Sequence, residues 1–307
     1  MNSHQDRART VLLGCGLRTA RKAKGWKMRE LARETPVNAA LFNCWELGRR
    51  SPHLEDVIAL STKIGITTAH RDRLIRLARH PEEDSVLALG APDRPDHLAV
   101  AEDCARRSSR IDTWNPLLVP PMFQIPDYTA ALTGPRRDHR TGTHACTESW
   151  APDRPESDAL VEAVTVYIGE HAIAHPIGAR HTAFRQLHYL LEAEPHPLTR
   201  PRRLRFAAPR IRVVPIRAGY HQGLDGAVTR YHTEAGLIDY RPGGFAGTFT
   251  APDRNEYELP IDAFDVFNQL DTVALSTSES AELIYDYALR LKPGPPPARP
   301  SHIARTG

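Results

Sequence analysis

Apolar residues recur at helical spacing through the first 80 residues, and residues that end helices separate the groups. Leu13, Leu17 and Ala20 lie at i, i+4 and i+7, on one face of a first helix that Gly25 ends. Similar spacing predicts four more short helices in this region. Five helices in so short a stretch indicate a compact all-α domain.

A proline turn separates the second and third of these helices. The second runs from Lys27 to Glu34, and Thr35-Pro36 breaks it. The third has Asn38 as its N-cap and is ended by Gly48. Its buried side chains are expected to be Leu41, Phe42 and Trp45.

Sequence signals also mark the last two helices of this region. Ser51-Pro52 is predicted to start the fourth helix, as an N-cap followed by a first-turn proline, and Gly65 is predicted to end it. Thr68 is predicted to open the fifth helix.

The chain changes character after residue 80. Residues 81–96 are acidic and then proline-rich, which indicates a linker, and a helix is predicted over 97–111. β-branched and aromatic runs typical of strands appear only beyond this point. The predicted strands are Val164–Ile168, Ile211–Ile216 (interrupted by Pro215), Val228–His232, Leu237–Tyr240 and Phe245–Thr250.

Two helices are predicted near the C-terminus. The first follows from apolar residues at three-residue steps, namely Ile261, Phe264, Phe267 and Leu270. Ser276 with Glu279 forms a capping box that opens the second.

The predicted fold is therefore multidomain. A five-helix all-α domain over residues 1–80 and a linker over 81–96 precede an α+β domain over 97–291, whose sheet is mostly antiparallel. Residues 134–157 within it are expected to be a loop. The proline-rich residues 292–307 are expected to be a disordered tail.

Charge is distributed unevenly between the two parts. Residues 1–80 contain 16 Lys and Arg against 7 Asp and Glu, a formal charge of +9, whereas residues 81–307 contain 24 against 30, or −6. A short domain this basic attracts a polyanion, and double-stranded DNA is the commonest polyanion in a cytoplasm. A well-solvated basic surface without a nucleic-acid partner would have the same excess of Lys and Arg. A sequence motif is therefore needed to support DNA binding.

Membrane and disulfide-rich classes find no support in the sequence. The apolar runs are shorter than the about 20 residues that cross a bilayer, and no cleavage pattern follows Val11–Leu17. A cytoplasmic protein without membrane contact is expected. The four cysteines are scattered, at 15, 44, 104 and 146, and are expected to be reduced thiols.

Catalytic, metal and cofactor sites also lack a motif. The chain contains no G-x-S-x-G elbow and no P-loop, and Gly14-Cys15-Gly16 lies within a predicted helix. Several histidines follow Glu170, but Pro176 breaks the helix that would align them as metal ligands. The sequence therefore predicts a protein that is not an enzyme, with no catalytic residues, no metal and no cofactor.

Residues 31–52 (LARETPVNAALFNCWELGRRSP) have the layout of a helix-turn-helix. Val37 and Phe42 supply the apolar contacts that would fix the angle between its helices. The segment resembles the motif of XRE-type repressors. The matching residues are Leu17, Arg18, Arg21 and Gly25 before the motif, and Glu46, Gly48, Arg49, Arg50 and Pro52 at its end.

The resemblance continues beyond residue 80. Four segments resemble, in this order, the landmarks of actinobacterial XRE-type regulators with an antitoxin-like C-terminal domain of unknown function, the WhiJ-like regulators. They are VPPMFQIPDYTAAL (119–132), GEHAIAHPIG (169–178), RIRVVPIRAGYHQGLDG (210–226) and FNQLDTVALSTSES (267–280). That family implies transcription regulation, frequently beside a small antagonist protein encoded nearby.

The motif implies which side chains face DNA. The third helix would lie in the major groove, and the residues expected to face base edges are Asn38, Ala39, Ala40 and Asn43. Arg49 and Arg50 would contact phosphates, and Lys27 would do so on the flank. A homodimer would place two such helices about 34 Å apart on a pseudo-palindromic site.

Two hypotheses of function follow. The first is a sequence-specific DNA-binding transcription regulator whose C-terminal domain responds to a small protein partner or effector. The alternative is an antitoxin-like protein-interaction module with a degenerate DNA-reading helix, because Ala39 and Ala40 can touch only thymine methyls. Met28 and Pro36 also depart from the family pattern, which commonly has a phosphate-binding glutamine and a turn glycine there.

Overall fold

The computed structural model describes residues 7–79, 87–90, 97, 100–101, 104–105, 107–133, 160–192, 205–206, 209–233, 236–243, 246–250 and 265–292. Several sequence predictions lie outside these residues. They are the loop at 134–157, the disordered tail beyond Lys292, and the positions of Cys146, Ile261 and Phe264.

The N-terminal part is helical, as predicted. Its helices are α1 (Arg7–Ala23), α2 (Met28–Arg33), α3 (Ala39–Glu46), α4 (Leu54–Ile64) and α5 (Thr68–Arg79). The predicted N-cap of α3 is confirmed, because the Asn38 side chain accepts a hydrogen bond from the backbone of Leu41. Gly65 ends α4, also as predicted.

The predicted start of the fourth helix is wrong. α4 begins at Leu54, and His53 is its N-cap without a side-chain capping hydrogen bond. Pro52 is buried, so the chain packs this proline ring into the domain before the helix begins. A proline that fills a core and a proline in a first turn leave the same Ser-Pro pattern in a sequence.

The C-terminal part is built around a mixed sheet. Its strands are β1 (Leu87–Gly90), β2 (Ser108–Asn115), β4 (Ala163–Gly169), β6 (Arg210–Val214), β7 (Val228–Thr233), β8 (Gly236–Pro242) and β9 (Ala246–Thr250). Their order is β1-β9-β8-β7-β2-β4-β6. β4 pairs in parallel with β2 and β6, and the other neighbours are antiparallel. A separate parallel pair is formed by β3 (Leu160–Val161) and β5 (Arg205–Phe206).

Each strand predicted from the sequence is present, but β1, β2 and the short pair β3 and β5 were not predicted. β1 lies within the expected linker, and Leu87 pairs with Phe249 of β9. The helix predicted over 97–111 is too long: the described residues from 97 to 105 are helical, and β2 begins at Ser108. No proline or glycine separates helix from strand here, so spacing alone does not place the boundary.

Further helices accompany the sheet. They are α6 (Pro126–Thr133), α7 (Glu170–Ala174), α8 (Arg180–Glu192), α9 (Val266–Val273) and α10 (Thr277–Leu291). The predicted capping box is confirmed: Ser276 Oγ accepts from Glu279 N at 3.2 Å, and Ser276 N donates to Glu279 Oε2 at 2.9 Å. None of the helices in the described part of the chain is long and apolar enough to cross a bilayer.

α1 is buried on nearly all sides rather than on one face. Val11 and Cys15 belong to a large apolar cluster that also contains Leu74 of α5, Cys104, and Ile111 of β2. A second, smaller cluster lies inside the helix-turn-helix and includes Leu31, Val37, Phe42 and Trp45. The helical part and the sheet therefore share one core, with α1 in it.

Candidate nucleic-acid interface

α3 packs one face into the helical domain and presents the other to solvent. Phe42 and Trp45 are buried, and their rings meet edge to face with centroids 6.3 Å apart. Ala40 and Asn43 are exposed, and Ala39 is half-buried. Because residues three and four apart lie on one side of a helix, these three side chains share the outer surface of α3.

Asn38 is exposed, but its side chain is partly committed. Oδ1 accepts a hydrogen bond from Leu41 N at 2.8 Å, which caps α3. This bond leaves Nδ2 for other partners. Asn38 can therefore donate to a base acceptor through Nδ2, and Oδ1 retains one of its two lone pairs beside the capping bond.

α3 ends in a turn that requires glycine. Gly48 has a φ of 68°, and its N–H donates to Trp45 O at 3.0 Å. Arg49 N then donates to Cys44 O at 2.9 Å. Arg49 and Arg50 are exposed, so the turn places two cationic side chains just beyond the end of α3.

A buried ion pair anchors the end of α3 to α1. Arg21 Nε and Nη2 donate to the Glu46 carboxylate at 2.6 and 2.8 Å, and Arg21 Nη1 donates to Trp26 O at 2.8 Å. Arg21 is 8% exposed and Glu46 is 2% exposed. Because the guanidinium compensates the carboxylate, the acidic residue of α3 contributes little negative charge to the surrounding surface.

α1 approaches the end of α3 closely at Gly14. A Cβ at this position would lie 2.2 Å from the backbone oxygen of Trp45. The Gly14-Cys15-Gly16 segment lies within α1, as predicted, and Gly14 allows close packing of two helices.

Exposed basic residues flank the helix-turn-helix. The Lys27 side chain is 83% exposed and lies 3.9 Å from Glu30, measured from Nζ to Oε1. Lys27 also precedes α2, where its backbone N–H donates to Glu30 Oε2 at 3.2 Å. Arg29 and Arg33 of α2 are exposed as well. The outer surface of α2 is therefore mainly cationic.

The acidic residue in the turn between α2 and α3 is also paired. Lys63 Nζ lies 2.7 Å from Glu34 Oε2, and this hydrogen bond lowers the pKa of Glu34. The pair compensates the charge of Glu34 and leaves the surrounding cations to dominate the surface.

Glu170, beside the histidines of residues 171–188, takes part in packing. It accepts hydrogen bonds from Ile216 N at 2.8 Å and from Tyr287 Oη at 2.9 Å. Within the described ranges, no group of three or more His, Cys, Asp or Glu side chains is placed to hold a metal ion.

Two contacts at the end of α3 were not predicted. The sequence contains Arg21 and Glu46 but does not show that they pair. Arg107, just before β2, donates from Nη1 to the backbone oxygen of Glu46. These contacts join residues far apart in the chain, so no local spacing signals them.

Two protein families match parts of the chain. A helix-turn-helix domain matches residues 12–74, and a Domain of unknown function (DUF5753) matches residues 98–286. No curated protein and no solved structure matches the chain. The first match indicates a DNA-binding regulator, and together they confirm the resemblance to a helix-turn-helix regulator with a C-terminal domain of unknown function. The chain thus belongs to the DUF5753 family, with a helix-turn-helix domain preceding the domain that defines it.

Proposed function

We propose that this protein is a sequence-specific DNA-binding transcription regulator of the XRE type in which α3 enters the major groove. The environment of α3 carries the proposal: Phe42 and Trp45 anchor its inner face, and Ala40 and Asn43 face solvent. The major groove of B-DNA admits an α-helix, so an exposed helix with cationic flanks fits it.

The exposed side chains divide into two groups by the DNA component they would contact. The residues proposed to face base edges are Asn38, Ala39, Ala40 and Asn43. The residues proposed to contact phosphates are Lys27, Arg49 and Arg50. Since alanine methyls offer no hydrogen bond and the Asn38 oxygen caps α3, Asn43 is the principal base reader of this set.

The protein is proposed to act as a homodimer on a pseudo-palindromic site, with two copies of α3 about 34 Å apart. We retain the proposed division into a DNA-binding domain over residues 1–80 and a regulatory domain over 97–291. The region between the two domains is not a linker throughout, because β1 lies within it and belongs to the sheet. Sedimentation of the free protein and of its DNA complex tests the dimer.

The C-terminal domain is proposed to respond to a small protein partner or effector. The support is the shared core: Val11 and Cys15 of α1 pack in the same apolar cluster as Cys104 and Ile111. A conformational change in the sheet residues of this cluster would therefore shift α1, and α1 contacts α3. Adding a small protein encoded beside the gene should then alter DNA affinity.

An alternative function is an antitoxin-like protein-interaction module with a degenerate reading helix. Ala39 and Ala40 favour it, because two of the four positions that face bases carry no hydrogen-bonding group. The two functions differ in operator preference. A degenerate helix binds every duplex alike, whereas a sequence-specific regulator discriminates.

Selection of duplexes from a random pool tests the proposal. The full-length protein should enrich one sequence, with a preference over random DNA of at least about a thousandfold. Its affinity should also fall steeply with salt, because phosphate contacts release counterions. A pool that stays random after repeated rounds would favour the interaction module instead.

A further inference from the structure

The C-terminal part of the chain reaches α3 through the side chain of Arg107. This residue lies immediately before β2, and its Nη1 donates a hydrogen bond to the backbone oxygen of Glu46, the last residue of α3. Arg107 falls within residues 98–286, the range matched by DUF5753. A residue of the C-terminal domain therefore contacts the helix proposed to read DNA.

The contacted carbonyl lies at the negative end of the α3 dipole. The last carbonyls of an α-helix lack partners within the helix and carry its partial negative charge. In α3, Trp45 O accepts from Gly48 N, and Cys44 O accepts from Arg49 N. The Glu46 carbonyl accepts instead from a guanidinium, which is a charge-assisted hydrogen bond.

Glu46 is consequently held at both its side chain and its backbone. Arg21 of α1 binds the carboxylate, and Arg107 binds the carbonyl oxygen. α3 has 8 residues, and Asn43 lies less than one helical turn before Glu46. A shift at Glu46 would therefore move Asn43 relative to the bases.

α1 provides a second connection between the C-terminal domain and α3. A Cβ on Gly48 would lie 2.8 Å from the Cα of Val11, so α1 touches the turn that ends α3. Val11 also belongs to the apolar cluster that contains Ala101, Cys104 and Ile111. The end of α3 is therefore contacted by Arg107, which belongs to the C-terminal domain, and by Val11, which packs against that domain.

We propose that Arg107 is a positioning residue for DNA recognition: through its bond to Glu46, the C-terminal domain sets the orientation of α3. This inference rests on the proposed function, since it assumes that α3 binds DNA. A partner or effector that displaced the chain around Arg107 would change DNA affinity without touching the DNA-binding surface.

Binding of full-length variants to the duplex enriched from a random pool tests this role. The variants are Arg107→Ala and Arg107→Lys, measured across a series of salt concentrations. Arg180→Ala is the matched control, because Arg180 also donates to carbonyl oxygens at the end of a helix. It contacts Leu291 O from Nε at 3.2 Å, and Arg290 O from Nη2, both in α10.

Arg107→Ala should weaken binding about tenfold, as expected for one charge-assisted hydrogen bond. The dependence of affinity on salt should stay as in the wild type, because no phosphate contact is lost. Arg107→Lys should recover most of the affinity, since lysine can donate to the same oxygen, and Arg180→Ala should bind as the wild type does.

Amide hydrogen exchange in the DNA-free protein adds a local measurement. In Arg107→Ala, the amides of Leu47 and Arg49, which close the end of α3, should exchange faster than in the wild type. The amides of α8 and α10 should be unaffected.

Each contrary outcome overturns the positioning role in a distinct way. Wild-type affinity in Arg107→Ala would show that the contact does not act on DNA binding. A log–log salt slope smaller by about 1 would make Arg107 itself a phosphate contact. Equal weakening by Arg180→Ala, or faster exchange throughout the protein, would indicate a general loss of stability. A wild type without a preferred duplex would contradict the proposed function as well, whereas the other outcomes leave that function intact.

Discussion

Arg21 of α1 and Glu46 of α3 form a bidentate ion pair with nitrogen–oxygen distances of 2.6 and 2.8 Å. Both side chains are buried. The pair joins the helix proposed to read DNA to the helix that lies in the core shared with the C-terminal domain. Its geometry leads to a prediction about stability.

Arg21→Ala should destabilise the protein by about 3 to 5 kcal/mol, because it leaves the Glu46 carboxylate buried without its partner. The free energy of unfolding in urea measures this loss. Lys63→Ala is the control, because it removes the exposed ion pair with Glu34, which is screened by solvent. Equal losses in the two variants would show that burial of the Arg21–Glu46 pair has no special importance.

Gly14→Ala should destabilise the protein although alanine is the better helix former. A helix gains about 1 kcal/mol when alanine replaces glycine at an unconstrained position. The new Cβ of Gly14→Ala would meet the Trp45 backbone oxygen at 2.2 Å, so we expect a net loss of about 1 to 3 kcal/mol.

Gly16→Ala is the matched control for this substitution. Its Cβ would meet the end of the Leu74 side chain, which can move more easily than backbone. The loss measured by thermal unfolding should therefore be smaller than for Gly14→Ala. A larger loss for Gly16→Ala would contradict the close packing of α1 on α3.

Acid should destabilise the protein through His221. This residue is 4% exposed, its ring meets the Trp114 ring edge to face, and burial lowers the pKa of this histidine. The unfolded chain then binds the proton more readily. The contribution of His221 to the free energy of unfolding is fully present above the ordinary histidine pKa. It decreases as the pH falls below that value, and it no longer changes below the pKa of His221 in the folded protein.

The melting temperature as a function of pH tests this contribution. His221→Asn should reduce the loss of melting temperature below about pH 6.5, the unperturbed histidine pKa. Parallel profiles for the wild type and His221→Asn would show that another group titrates.

Asn43→Ala and Arg50→Ala should affect DNA binding in different ways. Asn43→Ala should reduce the preference for the selected duplex over random DNA by about 1 to 3 kcal/mol and leave the salt dependence unchanged. Arg50→Ala should weaken binding to all duplexes and reduce the log–log salt slope by about 1. If Asn43→Ala reduced the salt slope and Arg50→Ala reduced the sequence preference instead, α3 would lie on DNA in another orientation.

Local signals explain how well the ends of the helices could be predicted. Asn38, Gly48 and the Ser276–Glu279 capping box act within one turn of the chain, so their residue types specify helix ends directly. Apolar spacing similarly specified the face of α3 that packs inward. The helix-turn-helix could therefore be placed from sequence to within a few residues.

Long-range packing explains what was missed. β1 is short and depends on β9 for its hydrogen bonds, so its own residues resemble a linker. The Arg107–Glu46 contact depends on how β2 and α3 come together in space. The burial of α1 on nearly all sides was also not apparent, because apolar spacing suggested one buried face and did not show the second layer that covers it.

Methylation interference on the selected duplex tests most directly whether α3 lies in the major groove. Dimethyl sulfate methylates guanine at N7, in the major groove, and adenine at N3, in the minor groove. We expect methylation at guanine N7 within the selected site to block binding and methylation at adenine N3 to leave it unchanged, because α3 occupies the major groove. Interference at adenine N3 alone, or at neither position, would contradict a major-groove position for this helix.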